Sequence, residues 1–427
     1  MPTPDPAITD DLAELIGRSP SSFHAAAELV RRLEGAGFQQ AEPDQEGPGK
    51  RYLVRDGTVL AWYVPAGADG RTPLRIVAAH TDSPTWKLKP RPDLGTAGWL
   101  ELGVEIYGGP LWNSWLDRDL GLAGRLALYD GTTVLVDIDR PLLRIPQLAI
   151  HLDRQVNSGG LTLDPQTHIR PVWGIGTPTD GRLIELVAEE AGVAAADVAA
   201  FDLILRDVVP PARLGLHREL LAAPRIDNLS SSHAGLLAFL AAADRPDLEV
   251  VPVYAAFDHE EVGSDSLTGA NGALLPALLE RISADLGASL GQRAETFAAS
   301  RCLSADAAHA VHPNYLERHD PPYYAVPNQG PAVKLNASQR YATDAVGGAA
   351  WARACRQADV PSQVYVTRNN IPCGSTVGPL LTSRLGIRAV DVGIPCLSMH
   401  SVRELCGVDD PGYLAAATTA FLTDPTP

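Results

Sequence analysis

The sequence predicts an α/β protein with a β-rich stretch set into it. Three observations predict this. Short apolar runs rich in β-branched and aromatic residues alternate with helical patterns towards both ends of the chain. Several of those runs stop abruptly in His, Asp or Glu. From about Pro84 to Pro211 the texture changes to strand-like pieces separated by loops rich in Gly, Pro and Trp.

Length and composition bound the reading. At 427 residues, two domains are the natural expectation. Hydrophobic residues at 45% and charged residues at 20% fit a globular chain rather than a disordered one. A formal charge of −16 argues against nucleic acid or an anionic membrane as the main partner. No run approaches the roughly 20 apolar residues that span a bilayer, and Met1–Asp11 has no signal-peptide pattern. Five cysteines without Cys-x-x-Cys spacing suit reduced thiols, so a cytoplasmic location is expected.

Taken in order, Ser19-Pro20-Ser21-Ser22 opens a helix reaching Leu33, with serines to cap it and Gly35 and Gly37 to stop it. His24 on that helix reads as a packing residue. Gln39–Lys50 is polar and reads as loop. Strands are expected at Thr58–Val64 and Leu74–Ala79. The second runs into His80-Thr81-Asp82-Ser83-Pro84, where alternation puts His80 and Asp82 on one side. That suits a metal-binding imidazole whose tautomer a carboxylate fixes, although a lone His-x-Asp is more often structural.

Within the β-rich stretch, strands are expected at Trp99–Ile106, Gly124–Leu128 and Thr132–Ile138, and a helical stretch at Val187–Ala200. Trp112 and Trp115, with Asp117-Arg118-Asp119, mark either a packing corner or a subunit contact. His151 sits in an apolar run beside Asp153-Arg154. The α/β texture then resumes. Asp227 and Asn228 lie at the entrance of a helix over Leu229–Ala243, where a carboxylate can simply cap the helix. A buried strand, Val250–Phe257, ends in Asp258-His259-Glu260-Glu261-Val262-Gly263-Ser264. Helical material follows from Leu274 to about Ala298, then a strand ending at Asp306, a helix to about Ala358, and strands at Gln363–Thr367 and Ile387–Gly393. The last leads to Ser398-Met399-His400.

Each of these charged ends has a bland reading alone; a Glu-Glu pair is usually a solvated loop. Together, His80, Asp227, Glu261, Asp306 and His400 are five nitrogen or oxygen donors at strand ends or a helix entrance. An open α/β sheet gathers ligands beyond the carboxyl ends of its strands. Two histidines and three carboxylates suit a pair of zinc-like ions. Two dications against three carboxylates leave a positive centre that favours hydroxide at neutral pH. Glu260, beside Glu261 but aimed elsewhere, is then the natural proton carrier.

The motifs HTDSP, RIDNLSS, EEVGS, SADAAHAVHPNY, KLNASQRYAT, PCGSTVGP and MHSVRE stand in that order, and with them the chain resembles the aspartyl aminopeptidase family of dizinc metallopeptidases. The resemblance runs from Ser19-Pro20 to Ser401. It implies a zinc-peptidase-like three-layer α/β/α catalytic domain, residues 1–84 and 213–427. A β-rich dimerisation or lid domain, residues 85–212, is then inserted. It further implies two zinc ions, with cobalt or manganese as substitutes. His80, Asp227 and Asp306 would hold one, and Asp227, Glu261 and His400 the other. Asp82 would orient His80, Glu260 would be general base and acid, and His151 would reach a neighbouring subunit's site to hold the oxyanion. The substrate implied is a peptide with a free N-terminus, with Asp or Glu as the residue removed. The assembly implied is a homo-oligomer, a dodecamer built from dimers.

An acidic side chain needs a positive partner; Lys334 is the first candidate, with Arg340 and His309 beside it. The chain departs from the family pattern in two places. Asp258-His259 stands where Asp-Asn is usual, and Asn370 where relatives often carry Asp, which leaves open how the Gly-rich loop after it is held. Two rivals remain: the same site with broader or Leu-type specificity or on another amide, and a non-catalytic assembly protein that keeps the fold.

Overall fold

The computed structural model describes residues 5–42 and 47–426, and the chain divides into two compact units. The first comprises residues 1–82, 212–399 and 404–427; the second comprises residues 83–211 and 400–403.

The first unit is built on a nine-stranded sheet. Its centre holds Thr58–Val64 (β1), Leu74–His80 (β2), Val251–Phe257 (β3), Arg301–Ala305 (β4) and Arg388–Gly393 (β5), in the order β1-β3-β2-β4-β5. The neighbours from β3 to β5 are parallel, and β1 is antiparallel to β3. Parallel strands buried on both faces read as continuous apolar runs, and all seven residues of β2 and of β3 are buried. Their side chains alternate between two cores. Val77, Tyr254, Leu303 and Val390 face one core. Ile76, Val253, Cys302 and Ala389 face the other.

The first core is closed by Pro6–Arg18 (α1), Ser22–Gly35 (α2), Ile226–Ala243 (α3) and Asp410–Thr423 (α4). Leu274–Asp285 and Val377–Leu385 close the second. The result is three layers, α/β/α. Parallel pairing sets β2, β3 and β4 so that their carboxyl ends emerge together. Phe257 stands opposite His80, and Ser304 opposite Ala78. A second, five-stranded sheet pairs Ala308–His309 with Pro395–Leu397 and the latter with Glu404–Gly407.

The second unit is a six-stranded antiparallel sheet. Trp86, Leu102, Leu122, Leu203 and Leu205 form its core under the helix Arg182–Ala191. Trp115 lies 6.3 Å from Trp86, edge to face, and Trp112 6.2 Å from it. The two tryptophans therefore form a packing corner inside this unit.

Several local expectations change. Of the serines expected to cap α2, Ser21 does so. The helix α1 went unread because its Pro and Asp residues look like loop; Asp5 caps it and Pro6 takes its first position, where a missing N–H costs nothing. Val187–Ala200 is not one helix: Gly192 turns left-handed at φ 71° and a strand begins at Val198. Leu274 to Ala298 is broken by Gly287, also at φ 71°, into Leu274–Asp285 and Leu290–Ala299. Within Gln39–Lys50, Gln39–Gln40 and Gly49 onward pair as strands, and residues 43–46 lie outside those described. No helix among the described residues is long and apolar enough to cross a membrane.

Phe239 on α3 is fully buried, 5.2 Å from the Phe38 ring and 6.0 Å from that of Tyr254. Removing it leaves a cavity between helix and sheet. Phe239→Ala is expected to lower unfolding free energy by about 3–5 kcal/mol, read as a lower urea midpoint with an unchanged slope.

Candidate metal centre

The carboxyl ends of β2, β3 and β4 and the entrance of α3 bring one imidazole and five carboxylates together. His80 is the last residue of β2 and 1% exposed. Its Nδ1 lies 3.0 Å from the Asp82 carbonyl and 3.3 Å from the Asp82 carboxylate. Its Nε2 lies 3.4 Å from Asp227 and 3.9 Å from Glu260. With Nδ1–H held on the Asp82 side, Nε2 is the nitrogen presented to the cluster.

Asp82 has a second task. Its two carboxylate oxygens accept the N–H groups of Glu260 and Glu261, both at 3.1 Å. Beyond β3, His259 takes a left-handed conformation (φ 63°), the chain makes one 3₁₀ turn over Glu260–Val262, and Gly263 and Ser264 again have positive φ. That tight turn brings the adjacent glutamates to one cluster with His80, their ligand atoms within 4.8 Å of one another.

Asp227 sits where a helix cap was one expectation, but the structure gives it another geometry. It has non-helical backbone angles (φ −79°, ψ 106°), and the peptide to Asn228 is cis. Its N–H is bound by the buried Glu404 carboxylate at 2.9 Å, Asn228 donates to the Ala305 carbonyl, and Ser232 donates to the His80 carbonyl. Glu404 and Ser232 were not singled out from sequence, and Asn228 was named only for its place at the helix entrance. Glu404 and Asn228 stand inside the motifs MHSVRE and RIDNLSS, and that membership was the available signal. Asp306 follows β4 and lies 3.4 Å from the ammonium of Lys334.

Ligand atoms of His80, Asp227 and Asp306 lie within 4.8 Å of one another, and so do those of His80, Glu260 and Glu261. The electrostatics of this packing call for cations. Burial pushes Glu260 up to about 8; His80 pulls it down, while Asp306, Asp82 and Asp227 push it further up. Burial opposes a charged His80, yet the hydrogen bonds to Asp227 and Asp82 outweigh it and raise its pKa well above the usual value. Burial likewise raises Asp306, against the pull of Lys334. A protein that crowds buried carboxylates around one imidazole, with no thiolate, matches the hard nitrogen and oxygen donor set of zinc. The residues fit the ion.

The remaining candidates are placed as follows. His400 opens the segment 400–403 counted with the second unit, and there its Nδ1 faces the Gly109 carbonyl at 2.9 Å. His151 is exposed in a turn of that unit. Lys334 is 2% exposed; it donates to the Ala307 carbonyl at 3.2 Å and lies 5.1 Å above the Tyr341 ring. Arg340 is exposed, and its carbonyl accepts from Ser375. His309 is exposed on an edge strand, 6.0 Å from the Tyr365 ring. Asn370 is exposed. The Gly-rich loop is held elsewhere: buried Asp391 accepts from Thr376 and from the Ala342 N–H, both at 2.6 Å, and a side chain on Gly378 would collide with it.

Comparison with known proteins agrees with this chemistry. Residues 15–422 match the model of the aminopeptidase I zinc metalloprotease family (M18). The chain is 56% identical to a probable M18 family aminopeptidase 2 of Streptomyces coelicolor over 423 residues, 98% of either chain. It superposes on a chain of the Ape4 and Nbr1 complex, solved by cryo-electron microscopy, with a TM-score of 0.93 at 35% identity, covering 98% of this chain and 85% of that one. The S. cerevisiae mApe1 dodecamer gives a TM-score of 0.85 at 28% identity, over 97% and 96%. The chain belongs to the M18 family of zinc aminopeptidases.

Proposed function

We propose that the chain removes acidic N-terminal residues from peptides, using two zinc ions and Glu260. The observation that carries this reading is the Asp82 carboxylate. It faces His80 and fixes both glutamate N–H groups, so one residue sets the geometry of a ligand, a proton carrier and a second ligand. In this reading His80, Asp227 and Asp306 hold one ion, and Asp227, Glu261 and His400 the other. The Gly109 carbonyl fixes His400 in the tautomer that directs Nε2 to a metal. Two such ions supply Lewis acidity and bring the pKa of water near neutrality.

The chain's own residues do the rest. Glu260 takes the proton from the attacking water and returns it to the departing amine. Its position supports this, because Glu260 is held close to the cluster by its N–H bond to Asp82, with its carboxylate 3.9 Å from His80. Lys334 supplies positive charge beside Asp306, with His309 and Arg340 as the other cations for an acidic side chain. His151 acts in the site of a second copy. Its neighbours Leu148, Ile150 and Leu152 are 59%, 46% and 75% exposed, an apolar surface suited to a subunit contact. Assembly as a homo-oligomer, by analogy with the dodecameric yeast relative, follows from the same reading. All five cysteines are free thiols, which suits the cytoplasm.

Glu260→Gln keeps the ligand shape and removes the proton carrier. Its kcat is expected to fall by about 10²–10⁴ while zinc content stays at the wild-type value. Loss of zinc with activity would assign Glu260 to the ligands instead. Lys334→Ala is expected to lose activity on Asp- and Glu-initiated peptides more than on Leu-initiated ones. An equal loss on all three would rule out a role in choosing the substrate and leave Lys334 as support for Asp306.

A further inference from the structure

A cavity of about 360 Å³ opens in the first unit along the segments that follow β4 and β5, within the roughly 300–1,000 Å³ usual for small-ligand sites. His309, His312, Tyr315, Arg318, His319 and Cys396 are among its lining residues. None of the ten residues that line it is acidic, in a chain with 51 Asp and Glu against 35 Lys and Arg. Three histidines and an arginine converge where the rest of the chain is anionic. Among the described residues, Arg318 meets a carboxylate only through its sequence neighbour, solvent-exposed Glu317, at 4.0 Å.

The backbone fixes both outer histidines. His319 Nε2 accepts from the His312 N–H at 3.0 Å, and His312 Nδ1 accepts from the Asn314 N–H at 3.2 Å. Each ring therefore carries its own proton on the other nitrogen, and each retains one N–H donor. Two ring donors and a guanidinium are a carboxylate-binding set.

Distance says which carboxylate. From Asp306 to Ala310 the chain is extended, because the N–H groups of Asp306, Ala308 and Ala310 bind the carbonyls of Val392, Ile394 and Cys396 in regular alternation. At about 3.3 Å per residue, Ala310 lies roughly 13 Å from Asp306, and His312 to His319 follow it in the chain. An aspartate or glutamate side chain reaches only about 4–5 Å from its own Cα. An N-terminal residue placed at Asp306 reaches no further than the near edge at His309, whereas the second or third residue of a peptide extended in the same direction advances to Ala310 and the residues that follow it.

We propose that this cavity is a subsite for a carboxylate two or three residues from the substrate's N-terminus. The carboxylate is either an acidic side chain or the terminal carboxylate of a short peptide. The inference rests on the aminopeptidase reading above. It makes the enzyme favour short peptides, or peptides acidic just beyond the cleaved bond.

The test compares kcat/KM for Asp-Ala-Ala, Asp-Ala-Ala-amide, Asp-Ala-Glu-amide and L-aspartyl anilide, with wild type and Arg318→Ala. The anilide has no residue beyond the first. Wild type is expected to favour both carboxylate-bearing peptides over the neutral amide by about fivefold, through KM, the scale of a solvent-accessible charge pair. Arg318→Ala is expected to bring that ratio near one and to leave anilide hydrolysis unchanged. Preference for only one of the two peptides assigns the subsite to that source of carboxylate. Equal rates on all three peptides in wild type would overturn the subsite, as would a preference that survives Arg318→Ala or an equal loss on the anilide. Failure of wild type to cleave the anilide at all, by contrast, strikes at the acidic aminopeptidase reading.

Discussion

The first unit depends on one constraint: anionic side chains are packed at the end of an apolar sheet, and the backbone is arranged to hold them there. Asp82 is the centre of that arrangement. It binds two successive N–H groups beyond β3 and faces the imidazole at the end of β2. Around it, Glu404 binds the Asp227 N–H, and Ser232 ties α3 to the His80 carbonyl. Buried carboxylates with so few cations are costly unless positive charge is added. Lys334 supplies one such charge beside Asp306. A divalent metal bound here would supply the missing positive charge, in keeping with the zinc chemistry of the family.

The same packing explains how Glu260 and Glu261 are held. Adjacent residues at the end of a regular strand would only alternate sides. Here positive φ at His259, Gly263 and Ser264 folds the segment into a single turn whose amides are fastened to Asp82. Both carboxylates are thereby held at the cluster, with ligand atoms within 4.8 Å of that of His80. A similar economy holds the Gly-rich loop, where the one buried carboxylate of Asp391 binds Thr376 and the Ala342 N–H.

Much of the fold was legible in the sequence, because parallel buried strands are written as short β-branched runs. Thr58–Val64 and Val250–Phe257 are found within a residue of where their patterns put them. The strand-end pattern likewise pointed to His80, Asp227 and Asp306, and their ligand atoms meet within 4.8 Å. What the sequence hid was long-range. Nothing local in Glu404 announces a hydrogen bond to residue 227. Nothing in Lys334 announces that burial against Asp306 and Ala307 takes up its ammonium. The helix α1 was hidden for the opposite reason: its cap and first residues are Asp and Pro, which mark loops as readily as helix starts.

Stoichiometric zinc titration of the chelator-stripped protein tests the central claim most directly, with bound metal and hydrolysis of an aspartyl substrate followed together. Activity is expected to be absent without metal and to appear as the second ion per chain binds. Full activity in the stripped protein, or none with two ions bound, would contradict the account.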